Sequence, residues 1–168
     1  MSVSMYQNSV PVMQRLMHNL IAILDKAEAF AAAKKIDGEV LPNARLAPDM
    51  FPLKRQVQIV SDMARGASCR LAGVDIPKWE DSEKTLADLK ARLQKTIDFI
   101  GSFPPAQFDG SEDRDISLTI GGQPKTLKGH QYLMTHAFPH FNFHIVTTYN
   151  ILRHNGVEIG KRDYIGTF

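Results

Sequence analysis

The stretch GHQYLMTHAFPHFNFHIVTTYNILRHNG, residues 129–156, decides the fold. It reads as one long helix from about Gly129 to Arg153, ended by Asn155-Gly156. Inside it His136, His140 and His144 stand four residues apart, so they rise in one column on a single helix face. That column holds half of the chain's six histidines. Pro139 falls between the first two. A proline inside a helix removes one backbone donor and presses on the preceding turn, so a bend or restart is expected there. The bend would swing His136 away and leave His140 and His144 as the pair that shares a face.

Working back along the chain, three more helices precede this one. The first runs from about Met5 to Lys35, with Val10, Met13, Met17, Leu20, Leu24 and Ala27 recurring at three- and four-residue steps. The second covers Pro52 to Leu71, with Leu53, Val57, Val60, Ala64, Ala67 and Leu71 on one face and Gly73 as its stop. The third runs from about Ser82 to Ile100. Between the first two, Gly38, Pro42 and Pro48 mark an ordered loop. The period then changes to two at Ile116, Leu118 and Ile120, and Gly121-Gly122 leads into Lys125-Thr126-Leu127, which is a hairpin signal. Two strands cannot stand alone and must pack on the helices. The expected fold is all-α: one domain over residues 1–168, a four-helix bundle with a small β-hairpin between the third and fourth helices.

Composition narrows the function classes. At 168 residues, 43% hydrophobic and 23% charged, the chain is an ordinary globular domain. A net charge of +2 with scattered Lys and Arg argues against nucleic acid. The most apolar stretch, Leu20 to Ala33, is broken by Asp25, Lys26 and Glu28, so no membrane partner is expected. Cys69 is the only cysteine and reads as a small buried thiol in a cytoplasmic protein.

The candidate site residues follow from the column. A catalytic zinc ion takes three protein ligands and keeps one position open. His140 and His144 supply two. Asp62 on the second helix supplies an oxygen, with Gln58 one turn before it. The bland alternative is that these imidazoles are hydrogen-bonded groups among Phe138, Phe141 and Phe143. Arg45 and Asp49 flank a loop at one end of the bundle, where the pair holds the loop or a ligand. The Tyr132 hydroxyl lines a cavity or reaches water. Arg153 is placed to hold an anionic group. Lys161, Arg162 and Asp163 form a solvated tail or dock on the bundle end.

Several phrases make the sequence familiar: Arg45-Leu46-Ala47-Pro48-Asp49-Met50-Phe51-Pro52-Leu53, then Gln56-Val57-Gln58, then Ala64-Arg65-Gly66. The most specific is Phe143 to Val157 (FHIVTTYNILRHNGV), followed by Gly160-Lys161-Arg162-Asp163-Tyr164. On these the chain resembles an uncharacterised family of the DinB/YfiT-like superfamily of four-helix bundles, over essentially its whole length. The resemblance implies a bundle with a cleft at one end, often a homodimer. It also implies a divalent metal, Zn, Ni or Fe, on one histidine from the second helix and two from an H-x-x-x-H on the last. His140 and His144 match that pair. No histidine lies between His18 and His130, and Asp62 is the nearest substitute. Two readings follow. One is a metal-dependent transferase or hydrolase acting on a small molecule. The other is a non-catalytic dimeric module that binds a small ligand without metal.

Overall fold

The computed structural model describes residues 4–167; residues 1–3 and 168, the ends of the expected domain, lie outside them. Four long helices form the body. Helix α1 spans Val10–Ala33 and starts later than its stripe suggested, because residues 5–9 form turns and Pro11 sits in the first helical turn. A single turn, α2 (Val40–Asn43), interrupts the loop that follows. Helix α3 spans Leu53–Ala72 and stops at Gly73, whose φ of 73° is the left-handed conformation that glycine adopts without strain. Helix α4 spans Leu86–Gly101. It begins at a capping box rather than at Ser82: Thr85 Oγ1 accepts from the Asp88 amide at 3.1 Å, and the Asp88 carboxylate accepts from the Thr85 amide at 2.9 Å.

Helix α3 is central. It packs on α4 and on the last long helix, while α1 packs on α4. Its apolar residues fill the core, and its polar residues Gln56, Gln58, Ser61, Arg65 and Ser68 are buried with them. Buried polar groups need partners, so these side chains fix how α3 is rotated between its neighbours. Ser61 shares a 2.8 Å hydrogen bond with Thr96 of α4. Gln58 donates to Glu83 at 2.8 Å. Asp62 takes Arg65 at 2.9 Å and Arg92 at 3.0 Å on the same carboxylate oxygen.

Strands β1 (Asp115–Ile120) and β2 (Gln123–Lys128) pair antiparallel, with Ile120 opposite Gln123. Gly121 and Gly122 both have positive φ, 57° and 77°, as a two-residue hairpin turn requires. Ile116 is buried and ties the hairpin to the core.

The last helical run is continuous from Gly129 to His154 but changes pitch. Helix α5 (Gly129–Tyr132) passes into a π-helical turn, Leu133–Ala137, and then into α6, Phe138–His154. The extra residue of the π turn sits just before Pro139 and takes up the clash of its ring with the preceding carbonyls. The irregularity is therefore where the proline demands it. The expected swing of His136 does not occur: its ring centroid lies 4.4 Å from that of His140, tilted by 33°. A final turn, α7 (Lys161–Ile165), docks on α1. Asp163 meets Lys26 at 2.7 Å, and Asn19 donates to the Tyr164 carbonyl at 2.9 Å.

Candidate functional site

Tyr132, His136, His140 and His144 stand at four-residue steps along the last helix. Tyr132 and His136 stack at 5.6 Å, and His136 and His140 at 4.4 Å. His140 is exposed and His144 half-buried, turned toward α3. His144 Nδ1 lies 2.6 Å from Gln56 Oε1. The other end of that amide is also fixed, because Gln56 Nε2 donates to the Phe51 carbonyl at 3.0 Å. Gln56 Oε1 carries only lone pairs, so Nδ1 must carry the imidazole proton. The His144 Nε2 then keeps the ring's lone pair. No protein group bonds Nε2 among the described residues, and it is not closed off from solvent.

Burial pushes His144 well below the ordinary imidazole range, to about 4, and the nearby charges of His140 and Arg55 add to the effect. The ring is neutral at neutral pH. An exposed aromatic ring borders it. Phe143, 56% exposed, meets the His144 ring edge-on at 5.2 Å. Phe51, also 56% exposed, carries the carbonyl that holds Gln56.

The family described as a domain of unknown function, DUF1993, matches residues 5–165. The chain belongs to the DUF1993 family. A solved structure described as a DinB family member protein from Shewanella denitrificans is 45% identical to it. The match covers 97% of this chain and 92% of that one, with a TM-score of 0.91. No curated protein matches. The fold of this DUF1993 chain is thus a DinB-like helical bundle with one small hairpin.

The other residues expected at the site are dispersed. Gln58 and Asp62 face Glu83, Arg65 and Arg92 instead of His144. The polar partner of His144 on α3 is Gln56. Arg45 donates to the Met50 carbonyl and so closes its own loop, while Asp49 is exposed and takes no part in an ion pair among the described residues. Arg153 is exposed in the last turn of α6, nine residues and about 13 Å of helix axis beyond His144. Tyr132 is buried and heads the column, its hydroxyl 3.3 Å from Arg70 Nη1.

The metal expected from the resemblance does not fit this donor set. Its third ligand, Asp62, has one oxygen committed to two guanidiniums that are almost wholly buried, with side-chain exposures of 8% and 3%. Among the described residues no three His, Cys, Asp or Glu side chains gather as a metal site would need. No helix among the described residues is long and apolar enough to cross a membrane.

Two side chains of α3 that meet the column were not singled out in the sequence as site residues, Gln56 and Arg70. Gln56 lies two residues before Gln58, and both are polar members of a helix buried nearly all round. Arg70 is four residues after Gly66, a buried glycine in a helix interior, and that spacing was a usable signal.

Proposed function

We propose that this DUF1993 chain is a small-molecule-binding bundle that recognises its ligand through His144, without a metal ion. One observation carries the reading: the Phe51–Gln56–His144 relay fixes the imidazole tautomer and leaves Nε2 as a neutral acceptor at the surface of the α3–α6 face. A group whose pKa is about 4 is a poor proton acceptor for catalysis at neutral pH, where efficient bases have values near the working pH. It remains a good hydrogen-bond acceptor. The exposed Phe143 ring supplies apolar surface beside it. The ligand class that matches is an aromatic or apolar body bearing a hydroxyl or amide donor.

Phenol is the simplest probe of that class. Added phenol binds saturably in calorimetry and shifts the His144 Nε2 resonance in nitrogen-15 spectra; the calorimetric binding is lost in His144→Phe, while Asp62→Ala retains it. A phenol response that survives in His144→Phe would refute the reading. Zinc titration tests the metal-dependent reading: stoichiometric uptake abolished by both His140→Ala and His144→Ala would restore it.

A further inference from the structure

The opposite end of the histidine column carries a different chemistry. Arg70 of α3 is half-buried, and unlike Arg55, Arg65 and Arg92 it pairs with no carboxylate among the described residues. Its recorded partner is the Tyr132 hydroxyl at 3.3 Å, and its guanidinium carbon lies 5.8 Å from that ring's centroid. This pose needs Gly66. A Cβ there would come within 2.7 Å of Arg70 Nη1. A glycine inside a helix costs about 1 kcal/mol relative to alanine, so the space it leaves for the guanidinium comes at a loss of helix stability.

The surroundings are free of negative charge on both helices. No Asp or Glu occurs between Asp115 and Glu158, which includes all of α5, the π turn and α6. The one carboxylate of α3, Asp62, is held by Arg65 and Arg92. The segment after Gly73 brings Ile76 to 3.8 Å from the Gly66 Cβ position. Its neighbour Asp75 is exposed and makes no ion pair among the described residues. Beyond Tyr132 the column continues as His136 and then His140, both able to donate a ring N–H. Burial, and then the charges of His140 and Arg70, lower the proton affinity of His136.

We infer that Arg70, His136 and His140 form an oxyanion site that takes a phosphate or phosphomonoester group. A guanidinium offers paired N–H donors that match two phosphate oxygens, and charge-assisted bonds of this kind are about twice as strong as neutral ones. The imidazoles add donors from the α6 side. The anion supplies the negative charge that the protein withholds. This site is separate from the His144 acceptor, and it stands or falls without it.

Inorganic phosphate is the probe, followed by calorimetry and by the ring signals of His136 and His140. The expected result is saturable binding that shifts both rings. Arg70→Met weakens it on the order of tenfold, the loss of one charge-assisted contact. Gly66→Ala weakens it as well, with the charge unchanged, because the new methyl displaces the guanidinium. His144→Phe leaves it intact. Binding unaltered in Arg70→Met, or no phosphate response in the wild type, would overturn the site. Acetate binding in preference to phosphate would overturn the assignment to phosphate.

Discussion

At the scale of the residue, His144 couples the site to stability. Its folded pKa of about 4 lies below the ordinary imidazole value of 6.5. As the pH falls through 6.5, the unfolded chain takes up a proton that the folded chain refuses. The contribution is therefore complete above 6.5 and declines as the pH drops toward 4, by at most about 3 kcal/mol. Urea unfolding across that window should show the decline in wild type and a flatter profile in His144→Phe. Equal slopes would mean that the ring titrates normally. Gln56 carries the second expectation. Gln56→Leu leaves the Phe51 carbonyl and the His144 Nδ1–H without their partner, at a cost of about 1–3 kcal/mol. Chemical denaturation checks it, and a variant as stable as wild type would show that the relay holds nothing in place.

Among the helices, Pro139 has less effect than a mid-helix proline usually does. The π turn at Leu133–Ala137 already absorbs the missing donor and the ring clash. Pro139→Ala should change stability by less than about 1 kcal/mol and keep the His136–His140 ring contact in nuclear Overhauser spectra. A large gain in stability would show that strain persists beyond the π turn. The same elements show what could be read in the sequence. Apolar stripes at helical spacing and a Gly-Gly turn between alternating residues are local signals, and α1, α3, α4 and the hairpin carried them. The rotation of a polar helix is a tertiary property. Gln56 and Gln58 differ by about 200° around the α3 axis, yet both are amides, so spacing could not decide which one meets His144. Asp62 and Arg65 do stand at the i,i+3 spacing of an ion pair, and that clue pointed away from a metal ligand. Pro139 was read correctly as an irregularity, but its consequence for His136 depended on a π turn that no residue pattern announces.

For the whole molecule, the ion cluster between α3, α4 and the segment before α4 is the structural counterpart of the site. Arg92, with 3% of its side chain exposed, joins Asp62, Asp81 and Glu83. Arg65 stacks on Trp79 at 4.3 Å, and Lys95 lies 4.2 Å from the same ring's centroid. Removing one member of such a cluster leaves buried charge without compensation. Asp62→Ala should lower stability by on the order of 3 kcal/mol in denaturant titration while phenol and phosphate responses persist. Unchanged stability would return Asp62 to the list of free ligands. The Lys90–Asp25 and Lys90–Glu28 pairs between α1 and α4, nearer the surface, should matter far less, since surface pairs are worth about 0–1 kcal/mol.

The fixed tautomer of His144 is measured most directly by nitrogen-15 spectroscopy of its ring at neutral pH. The expected spectrum has a protonated Nδ1 and an unprotonated Nε2 that persists until the pH approaches 4. A proton on Nε2, or titration near 6.5, would contradict the relay and the ligand site built on it.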